Sequence, residues 1–387
     1  MLIDVTRLLG RFMKGRLPTG VDRVCLAYIR HFADRSRVFV HQGRFGLIFS
    51  RGASRDLFAL LQQPRSDFAR SALRIMALSP PLPWSARRCA GRFLFNVGHS
   101  GLDRPHYCEW LLARRVRPIY MVHDLIPMTH PEFCRAGEAL RHAARMRTVL
   151  KTAAGIVTNS RATLQVLSRF AEASGWAMPP AVAAPLGCAV LPRSDAPRPL
   201  SDPYFVMLGT IEPRKNHWMM LQVWRRLVER YGASAPKLVL IGQRGWECEN
   251  VLDMLERCAP LSGVVIERSG CSDAELVRYL RHARALLFPS FTEGFGLPMI
   301  EALTLGVPVI AADLPVFHEI AGDVPDYLDP LDGTGWMARI VEYLHPDSPR
   351  RAGQLRRMFG FNPPSWEAHF EIMESLMARI VRPESRA

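Results

Sequence analysis

Lysine is scarce in this chain: of 50 basic residues only Lys14, Lys151, Lys215 and Lys237 are lysines. Arginine is therefore the general basic residue, and its abundance alone identifies no arginine-specific recognition. Long apolar runs are also missing. No stretch reaches the roughly 18 apolar residues of a membrane-spanning helix, and Asp4 and Arg7 interrupt the one place where a signal-peptide core could sit. The expectation is a cytoplasmic protein, either free or peripheral at the inner face of the cytoplasmic membrane. Eight cysteines (Cys25, Cys89, Cys108, Cys134, Cys188, Cys248, Cys258 and Cys271) include no C-x-x-C pair and no histidine at metal-ligand spacing. They read as reduced thiols without a zinc site. No 20–50-residue repeat occurs, which sets solenoids and propellers aside.

What is present is ordinary globular material, 387 residues that are 48% hydrophobic and 22% charged, enough for two cores and too apolar for a disordered tail. The charge is unevenly placed. Residues 1–190 carry 28 Lys+Arg against 11 Asp+Glu, a net of +17, whereas residues 191–387 carry 22 against 25, a net of −3. A field of that sign in one half points to an anionic partner: a phospholipid surface, a phosphorylated glycolipid or nucleic acid.

Four prolines between Leu191 and Pro203 forbid a continuous helix or central strand, so 191–203 reads as a linker between domains 1–190 and 204–365. On both sides short apolar runs alternate with helical patterns, the mark of parallel sheets with crossover helices. The runs are Leu2–Val5, Val38–His41, Phe93–Val97, Ile119–His123, Gly155–Thr158 and Ala181–Pro185, then Tyr204–Leu208, Lys237–Ile241, Val264–Glu267, Ala285–Phe288, Val307–Ala311 and Tyr327–Leu328. The fold class is α/β, two doubly wound domains, each Rossmann-like. The amphipathic stretch Trp366–Val381, within a final segment 366–387, is expected to pack back across the junction. In such folds ligands lie beyond the carboxyl ends of strands, and the cleft between two domains is the natural site.

The most specific segment runs from Phe288 to Ile310: a strand end, a glycine-rich turn, a helix and a strand. Pro298 suits the first helical turn, so Gly294, Phe295, Gly296 and Leu297 form a turn whose amides point at an anion-binding terminus. Glu293 precedes the turn, and Glu301 follows it on the first helical turn. Separated in this way, the two carboxylates face different parts of one extended ligand and do not form a glycosidase acid and base pair. Carboxylates accept hydrogen bonds from sugar and ribose hydroxyls.

This arrangement, Glu293-x7-Glu301 with Gly294-Phe-Gly-Leu-Pro298 between and Gly306-Val-Pro-Val309 after, resembles the signature of the group 1 (family four) retaining glycosyltransferases of GT-B architecture. The resemblance implies two Rossmann-like domains facing a central cleft, the second holding a nucleotide sugar and the first an acceptor. It assigns the nucleotide ribose to Glu301, and the donor sugar to Glu293 with the backbone of Phe295, Gly296 and Leu297. A second match, Gly209-Thr-Ile-Glu-Pro-Arg-Lys-Asn216, follows the first strand of the second half. Arg214 and Lys215 there agree with the family's pair of cations on the donor diphosphate; taken alone they could equally be a solvated basic turn.

Further positions come from the first half. In Tyr120-Met-Val-His-Asp-Leu-Ile-Pro127, His123 ends a strand where similar transferases carry a histidine facing the donor sugar and diphosphate. Asp124 either orients His123 or caps the next segment. Asn159 and Ser160 also match the family, with a helix N-cap as the alternative. Gly20 opens a helix where the family has a glycine-rich phosphate loop, though the adjacent glycine pair is lacking here. Asp22 and Arg23 either reach the acceptor or form a salt-bridged helix start.

The expected activity is transfer of a hexose with retention, without a metal and without any cofactor beyond the nucleotide-diphosphate sugar donor, onto a glycan or lipid-linked acceptor in bacterial polysaccharide or lipopolysaccharide synthesis. The Gly209–Asn216 and His123–Pro127 variants look most like mannosyl- and rhamnosyltransferases, which puts a GDP-sugar ahead of UDP- or TDP-sugars. Arg7–Arg16 and Arg65–Arg88 interleave cations with apolar residues as interfacial helices do. A phosphorylase built on pyridoxal phosphate fits poorly, since Lys215 and Lys237 are the second half's only lysines and the first is already assigned. A basic nucleic-acid-binding protein is the rival of another class, but no binding motif supports a nucleic-acid partner.

Overall fold

The computed structural model describes residues 1–43, 45–79, 89–188, 191–192 and 196–381. Part of the candidate segment Arg65–Arg88, including Trp84, lies outside the described residues, as do 193–195 of the linker and the last six residues. The chain divides into two compact units. The first comprises Met1–Met128, Gly137–Leu186 and the C-terminal stretch from Trp366. The second comprises Thr129–Ala136 and Gly187–Ser365.

The first unit is built on seven strands: β1 (Leu2–Asp4), β2 (Arg37–Gln42), β3 (Phe45–Ile48), β4 (Phe93–Asn96), β5 (Arg117–Val122), β6 (Gly155–Thr158) and β7 (Ala181–Ala183). Their order is β3-β2-β1-β4-β5-β6-β7. All neighbours are parallel except β3, which pairs antiparallel with β2, Phe39 opposite Ile48. The sequence reading lacks β3. Its four residues follow Gly43, which has φ +58°, and a hairpin strand that short has neither the length nor the alternation that marks the others.

The second unit holds β8 (Tyr204–Leu208), β9 (Lys237–Ile241), β10 (Val265–Arg268), β11 (Leu286–Phe288), β12 (Val309–Ala312) and β13 (Asp326–Leu328), ordered β10-β9-β8-β11-β12-β13 and parallel throughout. Apolar residues fill the central strands because helices cover both faces. Each unit is thus doubly wound. The direction of winding reverses between β1 and β4 in one sheet and between β8 and β11 in the other, which opens a crevice at those carboxyl ends.

Two pieces of chain depart from their sequence neighbours. Helix Trp366–Val381 packs on β6 and β7 of the first unit and buries Phe370, Met373 and Leu376, worth roughly 1.5–3 kcal/mol each. Within it, His369 donates from Nδ1 to the Ala184 carbonyl at 3.0 Å and accepts from the Tyr28 hydroxyl at Nε2, also at 3.0 Å. The other piece is Thr129–Ala136, which lies in the second unit although it follows β5. Phe133 stacks on Phe291 at 5.1 Å and 7°, and Trp246 Nε1 donates to the Phe133 carbonyl at 3.4 Å.

The segment Arg7–Arg16 spends its apolar residues inside the fold. Leu8, Leu9 and Phe12 of helix Thr6–Phe12 are buried, so this helix has no apolar face left for a membrane. Helix Phe68–Leu78 buries Phe68, whose ring meets Phe12 edge-on at 5.4 Å, but leaves Leu73 and Leu78 exposed beside Arg70 and Arg74. Among the described residues no helix is long and apolar enough to cross a membrane.

Candidate active site

The loops after β8 and β11 meet at the winding reversal of the second sheet, and the segment named by the double-glutamate motif lies there. Gly209 leaves β8 with φ +142°, and a Cβ on it would sit 3.3 Å from Lys215 Cε, so the turn leaves room for the lysine to lie over it. Residues 213–215 form one 3-10 turn, which carries Arg214 and Lys215 to the end of β11.

There the two cations meet Glu293. Arg214 Nη1 pairs with Glu293 Oε2 at 2.7 Å, and Lys215 Nζ pairs with Glu293 Oε1, which also accepts from Ser290 Oγ at 2.9 Å. Arg214 Nε is held by Glu212 Oε1 at 2.6 Å, and its backbone carbonyl accepts from the Phe291 amide at 2.8 Å. Lys215 Nζ also lies 4.8 Å from the centre of the Phe288 ring. Burial by itself would raise the Glu293 pKa, but the adjacent Arg214 and Lys215 charges and their hydrogen bonds bring it down to about 2. For Lys215 burial prevails over its carboxylate partner, and its pKa is lowered. Two carboxylates and two cations therefore form a cluster of zero net formal charge.

Beyond Glu293 the chain turns at Gly296 (φ +120°), where a Cβ would be 3.0 Å from the Phe317 ring, and enters helix Leu297–Thr304 with Pro298 in the first turn. The structure shows no acceptor among the described residues for the amides of Phe295, Gly296 and Leu297. This is the donor-rich terminus expected of an anion or oxyanion cradle. Glu301 is buried on the second turn of this helix, one turn later than its sequence position suggested, because helical geometry begins only at Leu297.

In the first unit His123 is buried at the end of β5 and donates from Nε2 to the Val97 carbonyl at 2.7 Å. Burial lowers its pKa, so the ring is neutral at pH 7. Asn159 Nδ2 donates to the His123 carbonyl at 2.8 Å and ties β6 to β5, while Ser160 Oγ caps helix Arg161–Ala173 through the Thr163 amide at 3.0 Å. Asp124 does not hold the His123 ring: its Oδ1 accepts from the Ile126 amide at 3.0 Å, which caps the next turn.

Asp22 corrects the expectation of an acceptor ligand. It is fully buried and accepts from the Thr19 amide at 2.8 Å and the Thr19 hydroxyl at 2.7 Å; Arg7 and Arg11 pair with it at 3.3 and 2.8 Å. It is the capping-box residue of helix Gly20–Phe32, with no oxygen left for a ligand. Gly20 is the first residue of that helix and is not among the positive-φ glycines, so its backbone does not demand glycine there. Arg23 is half-buried on the same helix.

Several residues of these sites escape sequence reasoning. Glu212 and Ser290 flank the motif residues, and of the two Glu212 was within reach of a charge count. Gly242 was not: a Cβ there would lie 1.9 Å from the Gly209 carbonyl oxygen, a constraint visible only once β8 and β9 are paired. Among the described residues no group of three or more His, Cys, Asp or Glu is arranged to hold a metal ion.

Two sheets of this winding, with paired cations and a glutamate at the reversal of the second, define the GT-B fold class. Residues 193–325 match the model of the family described as Glycosyl transferases group 1. The chain is 35% identical over 164 residues to O-antigen chain mannosyltransferase B of Escherichia coli, covering 42% of each. It is 30% identical over 256 residues to the serotype-specific mannosyltransferase WbdA of Escherichia coli, covering 59% of this chain and 31% of that protein. The chain thus spans less than half the length of these relatives. Among solved structures, Anabaena HepE in complex with UDP and glucose aligns over 97% of this chain and 99% of its own at TM-score 0.68 and 14% identity, a likeness of fold.

Proposed function

We propose that the chain is a glycosyltransferase that moves a hexose from a nucleotide-diphosphate sugar onto a glycan or lipid-linked acceptor in bacterial polysaccharide assembly, with retention at the anomeric carbon and no metal. The observation that carries this reading is the meeting of Arg214, Lys215 and Glu293 at the reversal of the second sheet. The mannosyltransferase names of the relatives favour mannose, and with it a GDP-sugar over UDP- or TDP-sugars.

The charge balance suggests how the site works. A diphosphate carries at least two negative charges and competes with Glu293 for Arg214 and Lys215. Displaced from its cations, the Glu293 carboxylate accepts hydrogen bonds from the donor's sugar hydroxyls, the amides of Phe295, Gly296 and Leu297 face the phosphate and sugar, and Glu301 takes the ribose. As the glycosidic bond breaks, the two cations stabilise the charge on the leaving diphosphate, and a phosphate oxygen takes the proton of the incoming acceptor hydroxyl on the same face. His123, neutral and fixed by Val97, serves the donor sugar.

A panel of GDP-, UDP- and TDP-sugars screened by thermal shift tests the reading, since a true donor stabilises the fold by mass action. Glu301→Ala should abolish the shift produced by the best donor while the unliganded variant still unfolds in one cooperative transition. An undiminished shift overturns the ribose assignment. Membrane association is part of the proposal, carried by the net positive half and by the exposed Leu73 and Leu78 beside Arg70 and Arg74.

A further inference from the structure

The segment Thr129–Ala136 follows β5 in sequence yet belongs to the second unit, and nothing in the proposed reaction calls on it. None of its residues is fully buried. Phe133 ends the 3-10 turn Pro131–Phe133 and makes two contacts with the second unit. Its ring lies flat on Phe291, centres 5.1 Å apart at 7°, and His130 stacks on it in turn at 6.0 Å and 12°. Its carbonyl accepts from Trp246 Nε1 at 3.4 Å, and Arg135 lies over that indole at 5.4 Å.

The two contacts fall on either side of the turn that carries Arg214 and Lys215. Because β8 lies between β9 and β11 in the sheet, the turn leaving β8 has the loop after β9 on one side and the loop after β11 on the other. Both neighbours are hydrogen-bonded to it. From the β9 side the Gly245 amide donates to the Ile211 carbonyl at 3.0 Å, and the Gln243 carbonyl accepts from the Ile211 amide at 2.9 Å. From the β11 side the Phe291 amide donates to the Arg214 carbonyl at 2.8 Å, and the Thr292 carbonyl accepts from Arg214 Nη1 at 3.2 Å. Phe133 joins the two flanking loops, through its ring to one and its carbonyl to the other, and so completes a ring of contacts around the turn of the two cations.

That bridge matters when a diphosphate arrives. The ligand takes Arg214 from Glu293, and the guanidinium then relies more on Glu212 and on the flanking backbone. A turn already held by its neighbours loses less freedom on binding than one that the ligand itself must order. We propose that Phe133 is a positioning residue for the donor diphosphate, bridging the loops after β9 and β11 so that Arg214 stays aimed once Glu293 is displaced. This rests on the transferase reading and brings a residue from the first half of the sequence into the support of the donor site.

The test measures, by calorimetric titration, the affinity of the full chain for GDP, UDP and TDP and for the matching monophosphates. The parent should bind one of the diphosphates saturably. Phe133→Leu keeps an apolar side chain but removes the stacked ring; it should weaken that diphosphate about twofold to tenfold, the worth of one aromatic pair, and leave the monophosphate affinity unchanged. Phe133→Tyr should restore the parent value. Phe133 is half-buried, so neither variant threatens the fold. An equal loss for both ligands marks a merely structural role and overturns the proposal, as does an unchanged diphosphate affinity. Phe291→Leu and the double variant check the route: the double variant should lose no more than the larger single loss, and additive losses overturn the bridge through Phe291. A parent chain that binds none of the three diphosphates sinks the transferase reading itself, whereas a parent that binds one no more tightly than Phe133→Leu does sinks only the positioning role.

Discussion

Replacing Glu293 with glutamine keeps the size of the side chain and removes the charge that holds Arg214 and Lys215. Both Glu293 oxygens are engaged, and its side chain and that of Lys215 are each only 9% exposed, so solvent screens the loss little. The depression of the Glu293 pKa from 4.5 to about 2 corresponds to about 3 kcal/mol of stability at neutral pH. The usual cost of breaking a buried pair, about 3–5 kcal/mol, agrees. Because the folded value lies below the unfolded one, this contribution is complete above about pH 4.5 and is lost as pH falls toward 2. Urea unfolding between pH 7 and 2.5, followed by tryptophan fluorescence to which the buried Trp224 and Trp336 of the second unit contribute, should show Glu293→Gln less stable by about 3 kcal/mol at pH 7, with the gap closing in acid. Inorganic pyrophosphate should raise the melting temperature of the variant more than that of the parent, since it supplies the missing negative charge. A loss under about 1 kcal/mol at pH 7 with an unchanged acid limb would refute the buried pairing, given the worth of such a pair. A smaller pyrophosphate response in the variant would refute competition for the same cations.

Three further outcomes are expected. Gly242→Ala forces the backbone at Gly209 to move and should cost about 1–3 kcal/mol in denaturant unfolding while weakening nucleotide-sugar binding; an unaffected thermal shift would separate β9 from the donor turn. Asp4, buried at the end of β1, has its pKa raised to about 6 by burial in spite of hydrogen bonds from Thr6 and Tyr107. Its folded form holds the proton more tightly, so stability should fall by up to about 3 kcal/mol as pH rises from about 4 to 6, and Asp4→Asn should flatten that slope in a pH series of melts. The chain should pellet with anionic liposomes at low salt and release at high salt, and Leu73→Ser with Leu78→Ser should reduce pelleting; salt-insensitive or absent binding would count against the membrane surface.

The parallel strands were legible because strands covered on both faces read as continuous apolar runs, as Tyr204–Leu208 and Lys237–Ile241 do. The loop that brings Arg214 and Lys215 to Glu293 was legible because a Gly-Pro pattern, a strand end and a helix start constrain one another locally. What depends on distant partners was not. Asp22 looks like a ligand until Thr19, Arg7 and Arg11 are seen around it, and Asp124 looks like a histidine's partner until the Ile126 amide claims it. Phe133 and Phe291 lie far apart in the sequence, and only the docking of segment Thr129–Ala136 within the second unit brings their rings together.

The helix Trp366–Val381 has a bearing on biosynthesis. It covers β6 and β7 and encloses Tyr28, Phe32 and Phe95 of the first unit, yet it leaves the ribosome after every residue of the second. Until residues 366–381 have been translated, the aromatic cluster around Tyr28 lacks its cover. The first unit consequently completes last although it is made first, and the nascent chain must keep an apolar sheet edge waiting, in reach of chaperones, while the second unit is synthesised.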